Sequence, residues 1–90
     1  MKKHVIMVPA HTLDAVRARI IDLAGGCTVG NESAGYWKDD TGKLHVDRIH
    51  PVTVYEDGDT ARDAAVSILF DAGELAVAYE TNGTPHLVNA

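Results

Sequence analysis

The apolar residues of this chain switch between strand-like and helical spacing in an order that few folds accommodate. Val5 to Val8 is a continuous apolar run of strand length, rich in β-branched residues and closed by Pro9. Such a run suits a strand buried on both sides or lying at a subunit contact. The pattern then turns helical. Leu13, Val16, Ile20, Leu23 and Ala24 recur on one face, Thr12 offers an N-cap oxygen, Asp14 adds negative charge to the first turn, and Gly25-Gly26 closes the segment.

From Cys27 to Tyr55 the spacing is strand-like on both sides of the polar stretch Asp39-Asp40-Thr41-Gly42, which predicts a long antiparallel hairpin. Pro51 interrupts its second arm. Because proline lacks the N–H that a central strand needs, it marks either a bulge or the start of the sheet-bound portion, with Val52 to Tyr55 as the secure part. Thr60 then caps a second helix, with Asp63 completing a capping-box-like Thr-x-x-Asp. Ala61, Ala64, Ala65, Ile68, Leu69 and Ala72 share one face of it, and Gly73 ends it. Leu75, Val77 and Tyr79 alternate with Glu74, Ala76 and Ala78 as a strand, and Asn82-Gly83 is a two-residue hairpin signal leading to a short strand over Pro85 to Val88.

This order predicts an α+β fold: a ferredoxin-like β-α-β-β-α-β sandwich forming a single domain over residues 1–90, with two helices on one face of an antiparallel sheet and a short extra C-terminal strand. The other sheet face is left open. Strands that are apolar on both faces would expose a large patch there, so like subunits are expected to cover it. Ninety residues also lie near the size at which a lone core is only marginally stable.

Composition narrows the function classes. With 46% hydrophobic and 23% charged residues the chain is ordinary globular protein, neither disordered nor of membrane type. A formal net charge of -5 with scattered Lys and Arg argues against a sequence-independent grip on nucleic acid. The run that ends at Pro9 is too short for a signal-peptide core or a membrane span, and the single Cys27 cannot form an intrachain disulfide. The expected compartment is the cytoplasm.

The densest functional-looking stretch is Gly30-Asn31-Glu32-Ser33-Ala34-Gly35-Tyr36-Trp37. In an extended arm Tyr36 and Trp37 face opposite sides, so one can pack while the other stacks on a planar ligand or a neighbouring subunit; equally, both can simply pack. His45 and Asp47 share a face of the other arm and could act as an acid–base pair. The five histidines lack close metal-ligand spacing, so no metal site is expected. The glycines Gly25, Gly26, Gly30 and Gly35 follow a helix and lack a lysine and a succeeding helix, which excludes a phosphate loop. Cys27, at a helix C-terminus, reads as structural.

Gly26-Cys27-Thr28-Val29, then Gly35-Tyr36-Trp37, then Asp47 ahead of a strand together resemble the small phage-encoded S-adenosylmethionine lyases, over most of the chain. Those proteins are similar to PII-type signal proteins, ferredoxin-like trimers whose ligand sits between subunits near the second and third strands. The resemblance implies cleavage of S-adenosylmethionine to methylthioadenosine and homoserine lactone without cofactor or metal, in the cytoplasm of the host cell. Tyr36 matches the family's tyrosine, where it would orient substrate. Asp47 matches an acidic position that is typically glutamate and would hydrogen-bond the ribose or amino-acid part, with Glu32, Ser33 and Trp37 as ligand-binding neighbours. Two other functions fit the same features. One is a non-enzymatic acidic protein of a phage or mobile element that inhibits a host defence system, displaying Asp39, Asp40, Glu56, Asp57 and Asp59 on one exposed face. The other is a PII-like sensor of an adenine ligand.

Overall fold

The computed structural model describes residues 1–90. Its elements are β1 (Lys2–Pro9), a single 3-10 turn (Ala10–Thr12), α1 (Leu13–Ala24), β2 (Thr28–Val29), β3 (Ser33–Lys38), β4 (Leu44–Glu56), α2 (Thr60–Asp71), β5 (Ala76–Thr81) and β6 (Thr84–Asn89). All strands join one antiparallel sheet. β2 and β3 lie end to end along one side of β4, followed across the sheet by β1, β5 and β6. The fold is the expected α+β sandwich of ferredoxin-like type, with its second strand split in two and β6 added at the far edge.

Alternation along the strands explains where the core sits. His4, Ile6 and Val8 of β1 and Val52 and Val54 of β4 face the helices and are buried, whereas Val5 and Met7 face the other way and are half-buried. Thus β1 is not buried on both sides. Val16 and Ile20 of α1 and Ala61, Ala65 and Leu69 of α2 complete the apolar core. Ala61 and Ala65 are fully buried, as close helix-to-sheet approach requires. Cys27 is half-buried against this cluster.

Both helix starts differ from expectation. The Thr12 hydroxyl donates to the Pro9 carbonyl instead of capping α1. Thr60 is the first residue of α2, and neither it nor Asp59 supplies a side-chain cap. The cap comes from the end of β4, where the two carboxylate oxygens of Glu56 accept from the N–H groups of Ala61 and Arg62 at 3.0 and 3.1 Å. A carboxylate at this position satisfies free donors and complements the positive end of the helix. Asp63 pairs instead with Arg62. The helix ends follow the glycines, with Gly25 (φ 84°) and Gly73 (φ 96°) in the left-handed region.

The Pro51 irregularity lies on the strand opposite. β4 runs unbroken through Pro51, which pairs with Met7 of β1. On the other side Val29 pairs with Val52 and Ser33 with Ile49, so residues 30, 31 and 32 face only residues 50 and 51. This is a bulge of one extra residue. The Pro51 carbonyl accepts from Gly30 N–H at 2.8 Å, and the donor that proline lacks would point to the same side. Without the extra residue, a ladder continuing from Val29 would place Trp37 on the helix side; with it, Ser33, Gly35 and Trp37 face the open side. Beyond the bulge, β3 and the first half of β4 project as an arm, and the molecule measures 39 × 24 × 23 Å.

Candidate functional site

The open face carries a groove where the sheet parts. The β1–β5 ladder stops at Ile6 opposite Tyr79, leaving Met7 to Pro9 and Ala76 to Ala78 unpaired with each other. The resulting cavity of about 280 Å³ has Met7 and Ile49 in its floor, Leu69 of α2 at its base, and Ala78 and Leu87 along one wall. The opposite wall is Trp37, brought there by the bulge.

Asp47 stands beside this indole and accepts a hydrogen bond from Trp37 Nε1 at 2.8 Å. His45, two residues back on the same face, stacks on Trp37 with ring centroids 4.3 Å apart, and its Nε2 donates to Asp39 at 2.9 Å. This bond, helped by Thr41 and Lys43, holds the Asp39 carboxyl well below the usual range. A continuous set of contacts therefore runs from the arm's turn through His45 and Trp37 to Asp47. His45 and Asp47 are each bonded to a different partner, Asp39 and Trp37.

A second carboxylate enters from the turn after α2. The Glu74 side chain is 18% exposed and lines the same cavity. Burial, and next the charge of Asp47, push its carboxyl above the ordinary value, while His11, 3.7 Å away, pulls it back. Glu74 was not singled out from the sequence. Its signal in the sequence is an alternation that sets it with Ala76 and Ala78, an isolated carboxylate among small apolar residues, although β5 itself begins at Ala76.

The other candidates are placed as follows. Trp37 and Asp47 meet in the groove. Tyr36 borders it, but its ring faces away from Asp47, beside Val46 on the far side of the arm, and is 68% exposed. Glu32 lies in the bulge and contacts Arg48 and His50. Ser33 is exposed on the open face at the root of the arm.

No group of three His, Cys, Asp or Glu side chains is arranged to hold a metal ion. No helix is long and apolar enough to cross a membrane. Among the acidic residues, Asp39 and Asp40 sit at the tip of the arm, whereas Glu56, Asp57 and Asp59 lie at the opposite end of the 13-residue β4. Glu56 caps α2, and Asp59 is bound by Lys2 and Arg62. Comparison of the chain with protein-family models, curated proteins and solved structures finds no match.

Proposed function

We propose that the groove binds S-adenosylmethionine, or another cationic adenine compound, and that the chain acts as an S-adenosylmethionine lyase. The observation that carries this reading is the hydrogen bond from Trp37 to Asp47 at the wall of a mostly apolar cavity. Such a site offers a flat aromatic surface and a fixed carboxylate to a ligand that is planar at one end and positively charged at the other.

The reaction asks little of the protein. The substrate's own carboxylate oxygen bonds to its γ-carbon as the bond from that carbon to sulfur breaks. The electron pair goes to sulfur, giving neutral methylthioadenosine and homoserine lactone. No proton, metal or cofactor enters the balance. A step that merges opposite charges is favoured in a water-poor groove, so the residues need only hold the chain folded back and exclude solvent. Asp47 is assigned to the ribose or amino-acid part, and Trp37 to the adenosine.

The proposal includes a homo-oligomer, a trimer by resemblance to PII-type proteins. Only 13 of 90 residues are buried, and Tyr36, Leu44, Val46 and Leu87 stand more than half exposed around the arm and groove, surface that a neighbouring copy would cover. A cavity of about 280 Å³ also falls just below the usual range for ligand pockets, roughly 300–1,000 Å³. A second copy would enlarge it and could bring the outward-facing Tyr36 of one chain to the substrate of the next. The separation of the acidic residues along β4 gives less support to an inhibitor that uses one acidic face.

The test is incubation of purified protein with S-adenosylmethionine, methylthioadenosine being followed by chromatography, alongside Asp47→Asn and Tyr36→Phe and with mass measurement in solution. Wild-type turnover lost in the variants, with assembly intact, is expected. Binding without product would leave a sensor; neither binding nor product would overturn the proposal.

A further inference from the structure

We infer that Glu74 is a second ligand-binding carboxylate, facing Asp47 across the groove to hold a cationic centre of the bound molecule. The inference rests on the reading of the groove as a cation site and adds a residue from a separate part of the chain.

Three observations lead to it. First, Glu74 is placed by the backbone: just past α2, after Gly73 in its left-handed conformation, its N–H bonds the Leu69 carbonyl at 3.1 Å, and its side chain lines the cavity. Second, the groove is mostly apolar, and its two carboxylates arrive on different elements. Lys38 and His11 are the basic residues near it; Lys38 is exposed on the arm, and the His11 side chain is 66% exposed and 3.7 Å from Glu74. Third, the placement is unfavourable for the empty protein. Burial and then Asp47 disfavour the ionised form of Glu74 and outweigh the opposing pull of His11, so a purely structural residue here would serve better as glutamine. An organic cation between the carboxylates would reverse this penalty, since ammonium or sulfonium supplies the missing charge.

A linkage follows. Cation binding favours ionised Glu74, so binding releases a proton at pH values where Glu74 is partly protonated, and affinity falls as pH drops through its raised value. In the empty protein the sign is opposite. A carboxyl with a raised folded value contributes stability at low pH that is lost as pH rises through that value.

The experiment compares wild type with Glu74→Gln, using two stable probes. Sinefungin carries an ammonium in place of the sulfonium; methylthioadenosine shares the adenosine and lacks both cationic centres. Glu74→Gln is expected to raise Tm at pH 8 by about 2–5 °C, to weaken sinefungin by about tenfold or more, and to leave methylthioadenosine within about twofold, the loss of one charged contact being confined to the charged probe. If wild type binds both probes and the variant keeps their affinity ratio, or if the variant is less stable at pH 8, Glu74 is structural and the inference fails while the adenine-site reading stands. If wild type binds neither probe, the proposed function falls and this inference falls with it.

Discussion

Adding one methyl group at Gly30 tests whether the bulge is held by contact with Pro51. A Cβ built on Gly30 meets Pro51 Cγ at 2.6 Å and Cδ at 3.2 Å, against the 3.5–4.0 Å at which carbon atoms rest. The neighbours would have to part by roughly 1 Å. Neither side yields easily. The proline ring is rigid, and Gly30 is tied at both ends, its N–H to the Pro51 carbonyl at 2.8 Å and its carbonyl to His50 Nδ1 at 2.9 Å. Overpacking of this kind costs about 1–3 kcal/mol, a large share of the stability of a domain whose buried set is so small. Gly30→Ala should therefore lower the urea midpoint by about 1 M and Tm by on the order of 10 °C.

A double-mutant cycle isolates the cause. Pro51→Ala removes Cγ and Cδ, and Gly30 has no left-handed φ. In that background alanine at position 30 should be neutral, or stabilising by about 0.4–1 kcal/mol through loss of unfolded-state freedom. The coupling between the two sites is then at least about 1 kcal/mol. The bulge also aims Trp37, the one tryptophan of the chain, so its fluorescence should shift to longer wavelength in Gly30→Ala before global unfolding and recover in the double variant. A single variant within about 0.5 kcal/mol of wild type, or one equally costly in both backgrounds, would refute the argument.

Replacing Glu56 with alanine removes the acceptor of two N–H groups at the start of α2 and should cost about 1–2 kcal/mol, read by chemical denaturation; Thr60→Ala, which lacks a capping bond, should have little effect. Asp39 and Asp59 are held below the ordinary carboxyl value, the first chiefly by His45 and the second chiefly by Lys2. Their contribution is present above the unfolded value of about 4 and is lost as pH falls through the depressed folded values. Asp39→Asn should accordingly flatten the fall in Tm between about pH 4 and 2, and an acid limb identical to wild type would refute the assignment.

What the sequence announced was local. Two amphipathic helices ending at Gly25 and Gly73, and a hairpin at Asn82-Gly83, where Asn82 (φ 50°) and Gly83 (φ 81°) both take left-handed conformations, follow from spacing and turn chemistry. The helix caps were obscured by distance. A threonine before a helix is a good local cap, but a glutamate at the end of the preceding strand supplies two acceptors for α2, and nothing in Thr60-Ala61-Arg62-Asp63 reveals it.

The groove was obscured for a related reason. Alternation alone placed Tyr36 and Trp37 on opposite faces, but which of them meets Asp47 depends on the parity of a ladder whose extra residue becomes visible only when β2 and β3 are both set against β4. Pro51 signalled that irregularity on the wrong strand, because a missing donor is accommodated by the neighbour that would have accepted it. Glu74 required a further step. Its place in the groove emerges only where β1 and β5 part, a separation between residues far apart in sequence. The same parting brings the cavity down to Leu69, a fully buried member of the core. Thus the place where the fold leaves its sheet least complete is also where a tryptophan and two carboxylates converge, and filling the groove would serve binding and stability together.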